Sequence, residues 1–252
     1  MIPPRDEPLI SVVIPAYEEE GYLEDLLDSI KNQTYGRYEI IGIDSGSKDK
    51  TKRIFLKYKA MVLYVPKGNI AAAKNAGLKK VRGDIIAFID ADFVLSSSRL
   101  FQTVVETFSN DKDKKIAALE PIQLINPRDI KRGNLTKFRI VNSMVNARKR
   151  VSFLTGFPEA TGCVFCRSEC IRKAGRFNEN INVGEDVEYF RRLRRFGKFK
   201  RIKEKVLVSY RRVEDLGVIG MSLLYAESEI RAHLFKRVKR NYEPVRKRKT
   251  KP

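Results

Sequence analysis

Ile85 to Ile89 is an unbroken apolar run, bounded by Gly83 and Asp84, that ends on Asp90-Ala91-Asp92. A run of this length between turn signals reads as a strand buried on both faces of a parallel sheet. That commits the chain to packing helices on either side of the sheet. Two carboxylates at the end of such a strand serve no packing purpose, because an unpaired buried carboxylate is costly. They make sense where the strand opens on a crevice, since open α/β sheets bind ligands outside the carboxyl ends of their strands. Hard divalent cations, Mg²⁺ or Mn²⁺, are held by one or two carboxylates together with substrate phosphates. Asp-x-Asp alone also describes many solvated turns; the buried strand before it is what favours a ligand.

The flanking sequence alternates strands and helices. Leu9 to Ile14 predicts a first strand, stopped by Pro15. Leu23, Leu26, Leu27 and Ile30 recur at i, i+3, i+4 and i+7, the spacing of an amphipathic helix. Glu39 to Asp44 predicts a second strand, with Ser47 expected to cap the next helix and Asp49 near its positive end. Met61 to Val65 is a short third strand, Ile70 to Lys80 an Ala-rich helix closed by Gly83, and Ile85 to Asp90 the fourth strand. Ser96 is expected to cap a helix running to about Phe108. Such alternation means βαβ units, hence an α/β chain with a Rossmann-like, mostly parallel sheet and flanking helices. The second half is less regular: a strand at Ile116 to Leu124, a long helical region from Pro127 to Arg150, a loop at Phe153 to Glu159 and a strand at Thr161 to Arg167. A helix at Glu185 to Phe196, two short strands within Phe199 to Tyr210, and a helix from Glu214 to Arg240 with a basic tail complete the reading.

At 252 residues with 42% hydrophobic content, the chain is long enough for one large domain with a C-terminal extension. No run approaches the ~18 apolar residues of a membrane span, and Met1 to Glu7 has no apolar core of a signal peptide. Three cysteines, an odd number, point to a reducing compartment, so a cytoplasmic location is expected. The net charge of +20 is concentrated: Arg191 to Pro252 holds 21 Lys and Arg against 6 Asp and Glu. That asymmetry fits a surface facing a polyanion, anionic lipid or nucleic acid. It equally fits solubility and the charged-residue enrichment of thermophiles.

The remaining motifs have two readings each. Asp44 at a strand end can accept a hydrogen bond from a nucleobase or ribose, or simply hold a turn. Glu185-Asp186, after Gly184, sits where a helix dipole favours acids; it is also where a general base would serve. Cys163, Cys166 and Cys170 read as small hydrophobes on a buried strand rather than zinc ligands, with the only histidine, His233, far away in sequence. There is no phosphate-binding Gly-x-x-x-x-Gly-Lys loop and no Gly-x-Gly-x-x-Gly. What favours function is repetition, because the first, second and fourth strands all end on polar residues at one sheet edge.

Taken in order, Ser11 to Glu18, Leu26 to Ile30 with Gln33, Asp44 to Thr51, Ala73-Lys74-Asn75-Ala76-Gly77, Gly83-Asp84, Asp90-Ala91-Asp92, Gly162, Arg167, Gly175 to Glu179 and Glu185-Asp186 resemble the family 2 glycosyltransferases. These are inverting enzymes of the GT-A fold that use nucleotide-sugars, and the resemblance covers about Leu9 to Gly197. It implies that Pro15, Ala16, Tyr17 and Glu18 line a nucleobase pocket, that Asp44 bonds the base, and that Lys74 contacts nucleotide where the family usually has Arg. Asp90 would touch ribose, and Asp92 would hold Mg²⁺ or Mn²⁺ on the diphosphate of a UDP- or GDP-linked sugar. Asp186 would deprotonate the acceptor, with Gly162 and Glu185 beside it. The family often has a late-strand histidine near the phosphates; Val206 to Arg212 has none, so an Arg or Tyr would take that place or the metal site would be weaker. The absent Gln-x-x-Arg-Trp of processive synthases favours transfer of a single sugar.

The expected organisation is a GT-A domain at 1–212, its nucleotide half at about 9–110 and acceptor half at about 111–212, followed by an amphipathic helix and basic tail at 213–252. The acceptor is unknown, and the basic end would suit an anionic membrane surface and a lipid-linked acceptor. A sugar nucleotidyltransferase is an alternative, though it would want a Gly-rich loop after the first strand. A nucleic-acid-binding protein is another, but aromatic residues are not interleaved in the tail.

Overall fold

The computed structural model describes residues 7–129, 142–143, 162–181, 184–209, 211, 217 and 220. The expected helix beyond Pro127, the loop at Phe153 to Glu159 and the helix and tail from Glu214 lie outside or almost outside these residues. Eight strands form one sheet: β1 (Ile10–Ala16), β2 (Tyr38–Asp44), β3 (Met61–Tyr64), β4 (Ile85–Ile89), β5 (Phe93–Leu95), β6 (Ile116–Ile125), β7 (Cys163–Arg167) and β8 (Lys198–Val208). Among the described residues six α-helices accompany them: α1 (Leu23–Lys31), α2 (Thr51–Lys57), α3 (Ile70–Leu78), α4 (Leu100–Asn110), α5 (Ser168–Ala174) and α6 (Glu185–Leu193).

The strand order is β3-β2-β1-β4-β7-β6-β8-β5. The first four neighbours run parallel; β7 is antiparallel to β4 and β6, β8 is parallel to β6, and β5 is antiparallel to β8. This is the expected α/β sheet, parallel across β3-β2-β1-β4 and mixed beyond it. Alternate residues of each central strand face opposite cores, as the period of two requires. Ile85, Ala87 and Ile89 pack with Leu26, Leu27, Ile30, Phe55, Phe101 and Val104 from α1, α2 and α4. Ile86 and Phe88 pack against Ala71, Ile171, Tyr189 and Phe190 from α3, α5 and α6. Both faces are covered, which is why the run Ile85 to Ile89 has no polar face. Cys163 and Cys166 fall one in each core, both buried, in the hydrophobic role expected of them.

Several local expectations are corrected. Pro15 does not stop β1; it pairs in register with Ile43. Ile10 donates its N–H to Arg37 on the β2 side, so alternation turns the Pro15 nitrogen toward β4, beyond the last β1–β4 pair, Val13 with Phe88. No ladder bond is lost there. Phe199 to Val208 is not two strands but part of the single strand β8, whose pairing with β6 is irregular. The register shifts between Ile116 and Ala118 and again between Glu120 and Ile122, where Arg201 to Lys205 of β8 bulges against Pro121, whose missing N–H interrupts the ladder. β5 and α5, of three and seven residues, are too short for periodicity to reveal.

Two capping assignments also change. Ser47 accepts a hydrogen bond from the Glu18 N–H instead of capping α2, while Asp49 accepts from the Thr51 N–H and hydroxyl as expected of an acid at that end. Ser96 donates to the Lys205 carbonyl. The first turn of α4 is satisfied by the Gln33 side chain, which accepts from Phe101 at 3.0 Å.

Candidate active site

Because β1, β2 and β4 are parallel neighbours, Ala16, Asp44 and Ile89 all end at one edge of the sheet, and Ala16 is the register partner of Asp44. The loops that follow β1 and β2 are laced together there. Ser47 donates its N–H to Asp44 at 2.9 Å, and the N–H groups of Glu18, Glu19 and Glu20 donate to Ser47, Thr51 and Asp49 at 2.8, 2.8 and 3.1 Å. Glu18 is held in the left-handed region at φ 52°, a conformation that persists only where its surroundings enforce it. Tyr17 presents its ring to the Lys67 ammonium, 4.8 Å from the centroid. Pro15 and Ala16 are themselves buried in the strand end. Thus Pro15, Ala16, Tyr17, Glu18 and Asp44 form one rim.

A second group lies beside it. Lys74 of α3 and Glu185 of α6 form an ion pair of 2.8 Å whose side chains are 6% and 7% exposed, and Lys74 also lies over the Phe177 ring. Burial alone would lower the Lys74 pKa, but the charges of Glu185, Asp186 and Asp90 outweigh it and the pKa is raised. Asp186 shows the converse. Burial, then the negative charges of Glu185 and Asp90, push it up to about 7 against the restraint of Lys74 and the Val187 N–H. β4, α3 and α6 therefore bring Asp90, Lys74, Glu185 and Asp186 together. Gly184 makes the entry into α6 possible by adopting φ 83°, open to glycine at little cost.

Gly162 closes the floor of this group. Its carbonyl accepts the Asp90 N–H at 2.7 Å, and a Cβ there would stand 2.4 Å from the Phe93 ring and 2.6 Å from Asp90 Oδ2. Asn75, one residue after Lys74, holds the approach to α6: its amide donates to the Phe177 carbonyl and to Glu179, and it accepts from the Phe177 N–H at 2.8 Å.

Asp92 is placed differently from expectation in one respect: it already has a cation. Arg211 forks onto Glu19 with contacts of 2.7 and 2.8 Å, and its Nη2 also reaches Asp92 Oδ2 at 3.1 Å. All three side chains are within 10% of full burial, and the guanidinium lies 4.9 Å above the Tyr22 ring. Arg211 lies in the stretch Val206 to Arg212 that carries no histidine. Glu19 escaped notice because it is the middle of three consecutive glutamates, of which only it is buried.

Among the described residues no three His, Cys, Asp or Glu side chains gather closely enough to cage an ion. Mg²⁺ or Mn²⁺ bound through substrate phosphates asks less of the protein, one or two carboxylates. Glu19 and Asp92 meet that requirement in kind, since their hard oxygens already converge on a positive group.

The family model for glycosyl transferase family 2 matches residues 11–196. Among curated relatives, the minor teichoic acid biosynthesis protein GgaA of Bacillus subtilis is 28% identical over 200 residues, 73% of this chain and 43% of that one. The chain spans less than half the length of the first curated relatives it matches. Two solved structures share the fold at low identity. The mannosyltransferase PcManGT from Pyrobaculum calidifontis, in complex with GDP-Man and Mn²⁺, has a TM-score of 0.61 at 17% identity, covering 92% of this chain and 71% of its own. Glucosyl-3-phosphoglycerate synthase from Mycobacterium tuberculosis, in complex with Mn²⁺, UDP and glucosyl-3-phosphoglycerate, has a TM-score of 0.60 at 21% identity, covering 90% and 79%. The family match takes in every element from β1 to α6, and with it both groups of acidic residues at the sheet edge. The chain belongs to glycosyl transferase family 2, a family of enzymes.

Proposed function

We propose that the chain is an inverting transferase that moves one sugar from a UDP- or GDP-linked donor to an acceptor hydroxyl or phosphate. The observation that carries this reading is the meeting of Asp90, Lys74, Glu185 and Asp186 at the carboxyl edge of the sheet. The known binding of GDP-Man and of UDP with Mn²⁺ by PcManGT and glucosyl-3-phosphoglycerate synthase supports a nucleotide-linked donor.

In this reading Asp44 and the Pro15–Glu18 rim take the nucleoside, and Asp90 takes the ribose. Asp186 accepts the acceptor proton as the new bond to the anomeric carbon forms, while the bond to the diphosphate breaks and its electron pair leaves with phosphate oxygen. A base with a pKa of about 7 is matched to this work near neutral pH. Glu185 and Lys74 hold each other in place beside it, so that Asp186 meets a fixed field. A divalent cation at Asp92 would supply positive charge to the departing diphosphate.

The test is a screen of nucleotide-sugars for donor hydrolysis and transfer, with Asp186→Asn and Asp92→Ala as controls. Asp186→Asn is expected to abolish transfer while nucleoside diphosphate binding, read by calorimetry, persists. Transfer at the wild-type rate by Asp186→Asn overturns the assignment of the base, and donor hydrolysis that survives Asp92→Ala overturns the metal's place.

A further inference from the structure

The cluster of Glu19, Asp92 and Arg211 is formed by the β1–α1 loop, the β4–β5 turn and the residue just beyond β8. Two carboxylates share one guanidinium in a nearly buried site, and arginine stays charged at every working pH. The sharing is unequal. Glu19 holds the guanidinium with both carboxylate oxygens, at 2.7 and 2.8 Å, and the Tyr22 ring supports its face. Asp92 has a single contact of 3.1 Å, through an Nη2 that also serves Glu19. Bidentate charge-assisted pairs are the stronger ones, so the Asp92 contact is the one that yields first. Glu19 and Tyr22 then keep the arginine parked.

We propose that Arg211 is the built-in counter-cation of Asp92, which a divalent ion must outcompete in order to bind. It keeps the Asp92 carboxylate neutralised and the β4–β5 turn closed in the absence of donor. A second cation at Asp92 meets like charge from Arg211 until the guanidinium withdraws onto Glu19. The nucleoside diphosphate, by bringing its own negative charge and phosphate oxygens, tips this competition. The ion and the donor therefore bind together, with little ion binding by itself. This inference rests on the reading of Asp92 as the ion-holding carboxylate.

Mn²⁺ binding is measured by electron paramagnetic resonance on the full chain, with and without UDP or GDP, for wild type, Arg211→Gln, Arg211→Lys and the double variant Arg211→Gln with Asp92→Asn. Wild type is expected to bind Mn²⁺ well only with nucleoside diphosphate present. Arg211→Gln should bind the ion alone at least tenfold more tightly than wild type, Arg211→Lys should fall between them, and the double variant should lose the gain. Equal or weaker ion binding by both Arg211 variants, with wild type binding Mn²⁺ normally alongside nucleotide, overturns the competition and leaves Asp92 as the ion's ligand. No Mn²⁺ bound by any variant, with or without nucleotide, overturns both the competition and the ion's place at Asp92. Glycosyl transfer, assayed separately both with Mn²⁺ and in chelator, reports on the enzyme assignment: transfer under either condition keeps it. Should Arg211→Gln fail to fold, as seen by circular dichroism, Arg211→Lys decides: tighter ion binding than wild type supports the proposal and unchanged binding overturns it.

Discussion

Asp186 differs from the other acids of the site in the number of forces set against its ionisation: burial, Glu185 and Asp90, opposed mainly by Lys74. If it is the base, kcat/KM should climb about tenfold per pH unit below pH 7 and level above it. A flat profile from pH 5.5 to 8 would argue that another group accepts the proton. The same shift acts on stability with a definite sign. The folded state favours the protonated carboxyl, so the contribution of Asp186 falls as pH rises from about 4 through about 7. Lys74 is the complementary case. Its removal strands Glu185 as a buried charge, so Lys74→Met should cost about 3–5 kcal/mol in urea unfolding, and Lys74→Arg much less. Asp44, Asp90, Asp92 and Asp186 stand out in the sequence because each closes a strand, lies in the turn after one or sits in the first turn of a helix. Glu19 and Arg211 do not, because their pairing spans 192 positions and depends on which of three glutamates turns inward.

At the scale of elements, α1 and β4 stand where their patterns put them, while β5 and the unity of β8 depend on pairing that the local sequence does not carry. α1 was legible from four leucine and isoleucine positions, all of them buried. β5 was not, since three residues carry no period and its strand character comes from pairing with β8. The capping residues failed for a related reason: α4 takes its cap from Gln33, in the loop after α1, a partner that only the fold supplies. Arg167 works in the same way, donating to the carbonyls of Phe108 and Ile116 and pairing with Asp111 at 2.7 Å, so that β7, α4 and β6 share one fastening. The turn between β4 and β5 rests on Gly162, which leaves no room for a methyl group. Gly162→Ala should lower kcat/KM by about 10²-fold through displacement of Asp90, while costing about 1–3 kcal/mol of stability. Wild-type turnover by that variant would show that the Asp90 position is not critical.

Across the whole molecule, charge is distributed as unevenly as the sequence indicated. Lys198, Lys200, Lys203 and Lys205 all lie exposed along β8, on the segment that leads toward the basic end of the chain. No helix among the described residues is long and apolar enough to cross a membrane. Attraction to an anionic bilayer would instead be electrostatic, about 1 kcal/mol for each Lys or Arg near the surface. Deleting Arg246 to Pro252 should then weaken sedimentation with anionic vesicles, most clearly at low salt; unchanged binding would remove the membrane from consideration. The order of the sheet carries a different consequence. β8 lies between β6 and β5, and the turn bearing Asp92 is fastened to Ser209 and Arg211. During synthesis the amino-terminal βαβ units can emerge and pack early, yet the corner of Glu19 and Asp92 stays unfinished until the ribosome has released residue 211. A nascent chain stalled short of that point would carry the rim of Pro15 to Glu18 and leave Glu19 and Asp92 without their shared guanidinium, buried charges with no partner cation.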